Sequence, residues 1–214
     1  MKKLSLGKLK IVYTEKKDGN MRISSNRENL LKNFNLDKLS IPNQKHTAYI
    51  FNINEYRNQE ADGLYTDKKR EALGVLTADC MPIVLSDGTI LTVIHAGWKG
   101  LFEGILEEAV SKLKNKEKAV AFIGPSARIC CYQVKEDFLQ HLKKYNIHVD
   151  KRHLRKNEEG YTFSLQEVAK DKLKEKGVNH IVDISLCAIC KKDFFSYRKG
   201  NFEERILTFA WLED

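Results

Sequence analysis

The stretch Leu76–Gly100, LTADCMPIVLSDGTILTVIHAGWKG, sets two short apolar, β-branched runs on either side of Asp87-Gly88. Asp-Gly is a two-residue hairpin signal, because both central positions of a type I′ turn need positive φ and these residues tolerate it. With Asp87 and Gly88 as the loop, Ser86 faces Thr89, and counting back along both arms brings Cys80 opposite His95. Cross-strand partners on one face have Cβ atoms about 4.5–5.5 Å apart. That separation suits a shared metal ion or a thiolate–imidazolium pair. A thiol and an imidazole are more often simply buried, but polar residues at strand ends beside a glycine-rich turn are where sites are usually built.

Around this hairpin, GVLTA, KAVAFIGP, HIVDIS and RILTFAWL are further short apolar runs that read as buried strands, with GKLKIVYTE and HTAYIFNI as strands nearer the start. Leu101, Ile105, Ala109, Val110 and Leu113 recur at helical spacing and predict a helix over Leu101–Lys114. NRENLLKNFNL and KEDFLQHLKKY read as two more helices. Another begins at SLQE, where Ser164 caps and Glu167 reaches back, and ends at Gly177. The order of strands and helices is irregular and includes a hairpin. The fold class is therefore α+β with mixed β-sheets and flanking helices, in a single domain spanning residues 1–214. No Walker or G-x-G-x-x-G motif supports a nucleotide cofactor bound in those ways.

The formal net charge is +8, but the lysines are interleaved with glutamates, as in SKLKNKEK, and read as solvated helix surface. No basic stripe interleaved with aromatics points to nucleic acid, so anionic small substrates are the better match. No apolar run approaches a membrane span, and the first residues lack a signal-length apolar core, so a cytoplasmic protein is expected. The 5 cysteines are an odd number, which in a reducing compartment favours metal binding or catalysis over a disulfide framework.

Of the 6 histidines, His46 in NQKHTAYIF sits at the mouth of a predicted strand, as His95 sits at the close of one. His46, Cys80 and His95 together would make a three-ligand zinc site with the fourth position open. Cys187-x-x-Cys190 reads as half of a structural zinc site or as a redox pair, though no second C-x-x-C follows. Cys130 and Cys131, taken as strand neighbours, point to opposite faces, so that only one faces a site.

TADCMPIVL, HAGWKGL, GPSARICCYQV, ADGLYTD and FFSYRKG…AWL strongly resemble the YfiH-like family over roughly residues 26–212. That family is described both as multicopper polyphenol oxidases (laccase-like) and as purine nucleoside phosphorylases. The resemblance implies an α+β sandwich of mixed sheets and a zinc ion, with copper as the alternative metal, on His46, Cys80 and His95. It implies phosphorolysis of adenosine, inosine, guanosine and methylthioadenosine, with adenosine deamination beside it. Purine nucleosides and phosphate are then the partners. Asp62, Asp79, Cys131 and Arg198 form the candidate catalytic set. Asp62 and Asp79 are the nearest carboxylates by motif for the proton shuttle that deamination needs, with orientation of a metal ligand as the alternative task for Asp79. Arg198 and Arg128 are candidate phosphate or ribose contacts. The chain departs from the family where Arg128-Ile129 replace the usual Gly-Pro, where Thr47 follows His46, and where Ala188 follows Cys187. The rival readings are a cysteine hydrolase with a Cys80–His95 dyad, a copper-binding polyphenol oxidase, and a non-catalytic binding module. A true multicopper laccase needs many more imidazoles than this chain supplies.

Overall fold

The computed structural model describes residues 1–214. Two mixed sheets lie face to face. One has six strands, ordered edge to edge as His180–Asp183, Val120–Ile123, Met81–Ser86, Leu91–Ala96, Gly63–Thr66 and Ile50–Asn52. The other has five, ordered Lys2–Leu6, Leu9–Tyr13, Ile206–Leu212, Ala72–Thr77 and Leu39–Ser40. Side-chain alternation explains the layering. In the central strands Ile83, Leu85, Ala121 and Ile123 join a core shared with the helices, while Val84 and Phe122 join the core between the two sheets. Helices Ile105–Ser111, Asp137–Lys144 and Leu165–Glu175 cover the free face of the six-stranded sheet. Helix Ser24–Lys32 covers the free face of the other sheet through Leu30 and Leu31. The result is one α+β domain with a sandwich at its centre.

The hairpin that organises the six-stranded sheet differs from the sequence expectation in one respect. Its last ladder pair is Ser86–Leu91, so the loop has four residues rather than two, and His95 stands opposite Pro82 instead of Cys80. The cause is the Asp87 side chain. Its Oδ1 accepts the Thr89 and Ile90 amides at 2.9 and 2.8 Å, and its Oδ2 accepts the Lys114 and Asn115 amides at 2.6 and 2.9 Å. A carboxylate folded back on its own loop makes an Asx-type turn, which competes with the tight type I′ form. The partner of each residue shifts by two positions, an even number, so every side chain keeps its face. Cys80 and His95 remain on one side as diagonal neighbours.

Other boundaries moved for local reasons. The helix expected over Leu101–Lys114 is two short helices, Trp98–Phe102 and Ile105–Ser111, parted at Gly104. Ser164 caps its helix by accepting the Glu167 amide at 3.2 Å, but Glu167 turns to Lys170. The Ser164 amide is already taken by the His153 carbonyl at 2.7 Å, so nothing is left for Glu167 to accept. Only Ile50–Asn52 of HTAYIFNI is strand, which leaves His46 in the preceding loop. A small third sheet, Gln133–Val134, Gly160–Phe163 and Leu154–Asn157, has no clear apolar alternation in the sequence.

Burial pushes the Asp87 carboxyl up, yet the amides around it outweigh this and bring it down to about 2. A carboxyl depressed by folding stabilises above its unfolded pKa of about 3.9, and that contribution is lost as pH falls towards the folded value. Asp87→Asn is therefore expected to lower stability by roughly 2 kcal/mol at pH 7 and by progressively less between about pH 4 and pH 2. Urea unfolding midpoints of both proteins across that range measure it. A deficit that stays constant with pH would remove the charge from the explanation.

Candidate active site

Asp62, fully buried at the start of strand Gly63–Thr66, organises the site. Its Oδ1 lies 2.6 Å from His95 Nδ1, and its backbone carbonyl accepts the His95 amide at 2.7 Å. Its Oδ2 accepts the Thr47 amide at 2.6 Å, the Thr47 hydroxyl at 2.9 Å and the Lys45 amide at 3.1 Å. One carboxylate thus fixes the His95 ring and both residues flanking His46. His46 itself is held at φ +60°, in the left-handed region that residues with a side chain seldom occupy.

Two glycines of the HAGWKG turn let the His46 loop come this close. A Cβ on Gly97 would stand 2.8 Å from His46 Cδ2, and one on Gly100 would stand 2.7 Å from the Thr47 carbonyl oxygen. Neither position has room for a side chain.

His46 Nε2 lies 3.7 Å from Cys80 Sγ, and the ligating atoms of His46, Cys80 and His95 all fall within 4.8 Å of one another. With Nδ1 turned to Asp62, Nε2 is the His95 nitrogen left for the other two donors, and it would give up its proton to hold a metal. Burial pushes the Cys80 thiol up, but the His95 and His46 imidazoles outweigh it and bring it down to about 6. Burial pushes His95 down, and Cys80 with Asp62 outweighs that and lifts it to about 9. A thiolate and two imidazoles converging on one point match the donor set of a divalent transition metal, and these residues could hold one.

The trio opens on a cleft of about 690 Å³. Arg22, Lys45, Arg198 and Arg205 make its wall strongly positive, and Trp98, Tyr132 and Tyr197 supply aromatic surface. The Arg198 guanidinium lies over the Tyr132 ring at 5.1 Å and donates through Nη1 to the Gln133 carbonyl at 3.0 Å. Arg205 Nη1 is engaged by the Phe202 and Glu204 carbonyls at 2.9 and 2.7 Å, which fixes its guanidinium at the cleft. Arg22 and Arg205 carry no local sequence signal. They lie far apart along the chain and meet through Asn20, whose Oδ1 accepts both the Arg22 and Arg205 amides at 3.0 Å.

The two carboxylates sit differently. Asp62, not Asp79, is hydrogen-bonded to a histidine of the trio, and with both oxygens engaged it is not among the residues lining the cleft. Asp79 does line it. Its Oδ2 accepts the Arg198 amide at 2.8 Å, while its buried Oδ1 has no partner. Asp79 sits at φ +87°, which turns the chain just before Cys80.

Two other expected contacts lie elsewhere. Arg128 is held by Asp183 through both guanidinium nitrogens, and the pair is outside the cleft. Cys131 sits in a turn rather than a strand, with its Sγ 2.7 Å from Cys190 Sγ, and does not line the cleft. The turn, closed by the Arg128 carbonyl accepting the Cys131 and Tyr132 amides, sends Tyr132 to the cleft and Cys131 away from it.

The family model described as "Multi-copper polyphenol oxidoreductase laccase" matches residues 10–213. A purine nucleoside phosphorylase of Aquifex aeolicus is 32% identical over 176 residues, covering 80% of this chain and 82% of that protein. A purine nucleoside phosphorylase of Haemophilus influenzae is 31% identical over 207 residues, covering 92% and 84%. The crystal structure of the Bacillus licheniformis protein YfiH superposes with a TM-score of 0.83 at 25% identity, over 96% of this chain and 93% of that one. The match runs through both sheets, the His46 loop, the hairpin and the closing strand, and so takes in every residue of the site. The chain belongs to the family described as multi-copper polyphenol oxidoreductase laccase, the YfiH family.

Proposed function

We propose that this chain is a purine nucleoside phosphorylase that also deaminates adenosine, acting in the cleft above His46, Cys80 and His95. The observation that carries the reading is a three-donor cluster opening on a cationic, aromatic-walled cleft, in a chain whose relatives bear that name. Zinc is the metal that two imidazoles and one thiolate favour. Bound there, it would supply Lewis-acid charge and lower the pKa of a water towards about 7.

The chain's own residues account for the rest. Phosphorolysis requires phosphate to be aimed at the ribose anomeric carbon and the developing charge to be stabilised. Arg198 is the anion clamp. Its backbone is tied to Asp79 and its ring-stacked guanidinium is pre-oriented, which lowers the cost of fixing it on binding. Trp98, Tyr132 and Tyr197 offer flat surfaces for a purine. Asp79, the carboxylate among the residues lining the cleft, exchanges the proton that the departing base or the deamination step needs. Asp62 is a positioning residue.

The dyad reading has one observation in its favour, the ordered line Asp62–His95–Cys80 with its low thiol and raised imidazole. It leaves His46 without a task. A nucleophile and its base need no second imidazole on the sulfur, whereas a metal site needs a third donor. The oxidase reading lacks imidazoles. His153 is taken by Asp150 and Asp171, and His141 packs against Trp98 at 4.6 Å.

The deciding assay supplies zinc-replete protein with adenosine. Adenine and ribose 1-phosphate are expected only with phosphate present, and inosine with or without it. His95→Ala is expected to abolish both routes. Adenosine untouched under both conditions would overturn the proposal.

Arg198→Ala is expected to raise the phosphate KM about 10–100-fold, the worth of one charge-assisted hydrogen bond, while inosine formation without phosphate is largely retained. Equal loss of both activities would take the phosphate role from Arg198. Asp62→Asn keeps the shape but removes the charge and one acceptor. It is expected to weaken metal retention about 10–100-fold, read by competition with a chelator, and to depress both activities together. Undiminished metal retention in that variant would contradict its positioning role.

A further inference from the structure

A second donor cluster lies on the other side of the Arg128–Gln133 loop from the cleft. Cys131 Sγ is 2.7 Å and Cys130 Sγ 3.4 Å from Cys190 Sγ, and the sulfurs of Cys130, Cys131, Cys187 and Cys190 all fall within 4.8 Å of one another. All four are free thiols. We propose that these four cysteines bind one structural zinc ion that pins the Tyr132 wall of the cleft to the turn at Cys187–Cys190.

The geometry argues for a single ion. Sulfurs about 2.3 Å from a tetrahedral zinc stand about 3.8 Å apart, within the spread seen here. An iron–sulfur cluster attaches its thiolates to different irons and needs them spread more widely. The backbone prepares the four positions. A Ser126–Cys187 bridge sets the two segments side by side, with the Ser126 amide donating to the Leu186 carbonyl at 3.2 Å and the Ala188 amide to the Ser126 carbonyl at 3.0 Å. The Arg128–Tyr132 turn presents Cys130 and Cys131, and a turn closed by the Lys191 amide on the Cys187 carbonyl at 3.1 Å presents Cys187 and Cys190. The Cys190 amide also lies 3.5 Å from Cys187 Sγ, as a backbone donor that favours a thiolate there.

Cys187-x-x-Cys190 alone is half a site. The missing half is not a second C-x-x-C but adjacent cysteines, which a turn can direct to one point although a strand cannot. A metal at this position has a structural consequence for the cleft. Tyr132, next to Cys131, carries the Arg198 guanidinium on its ring, and the Gln133 carbonyl accepts from it.

The test counts zinc ions on the full chain, reduced, saturated with Zn2+ and freed of excess, by native mass spectrometry. Two ions per chain are expected, and Cys80→Ala is expected to keep one. Adding Cys190→Ser to Cys80→Ala is expected to remove that remaining ion. Cys190 is exposed, so this change spares the core, whereas Cys187 is buried. With Co2+ in place of zinc, Cys80→Ala should show strong thiolate-to-cobalt absorption, and the Cys190→Ser change should diminish it with the lost thiolate. Cys80→Ala that holds no ion while its four remaining thiols titrate freely would overturn the proposal. So would a metal count that Cys190→Ser leaves unchanged, or, in protein prepared without reductant, a mass two daltons low with two thiols missing, which marks a disulfide.

Discussion

A carboxylate removed from water costs several kcal/mol unless its oxygens are paired, and the site depends on how Asp62 meets that demand. It does so with three separate pieces of chain: its own strand, strand Leu91–Ala96 through His95, and the loop around His46 through Lys45 and Thr47. Burial pushes the Asp62 carboxyl up, while His95 and the two amides outweigh it and hold the group ionised below its usual range. Because the donors to Asp62 flank or belong to the two histidines, satisfying the buried charge and aiming the imidazoles are one event. The left-handed backbone at His46 persists because the amides on both sides of it are engaged. Gly97 and Gly100 serve the same arrangement from the opposite side, by leaving space where the loop must lie.

Much of this was legible in the residues, and its limits are physical. Apolar runs of four to eight residues read as buried strands because the sandwich buries them on both faces, and Ile83, Val84 and Leu85 show why neither face could be polar. The hairpin register departs from the Asp-Gly turn signal because turn propensity treats Asp87 as backbone, whereas its side chain takes four amides, two of them from residues 114 and 115. The offset is even-numbered, so Cys80 and His95 keep the same side. His46 was reachable from its place at a strand mouth. The turn at Cys130–Cys131 was not, since it follows from a bridge between Ser126 and Cys187 that no local pattern announces.

The different placement of Asp62 and Asp79 has the same origin. Adjacency to Cys80 makes Asp79 look like a helper to the ligand. Neighbours along an extended chain point to opposite sides, however, and a residue at φ +87° departs from even that rule. The residue that reaches a histidine is Asp62, remote from His95 along the chain but on the adjacent strand. Asp79 is freed for the cleft, where one oxygen holds the Arg198 backbone and the other has no partner.

The charge around the cleft shows why several guanidinium groups are gathered there. At the floor the Cys80 sulfur faces the His95 imidazole, and Asp79 stands beside them, so the floor alone gives a phosphate little net attraction. Arg22, Arg198 and Arg205, with Lys45, stand round the same space, and crowding is the cost: burial, together with the nearby Arg22, pulls Arg205 below the ordinary arginine range. Carbonyls of Phe202, Glu204 and Gln133 take up donors from Arg205 and Arg198, so these cations are fixed by neutral partners that leave their charge uncancelled. Arg22 is different, being paired with Glu203 at 2.5 Å on the exposed side. A wall of cations held by carbonyls keeps its field directed into the cleft, and it is this wall rather than the floor that attracts an anion.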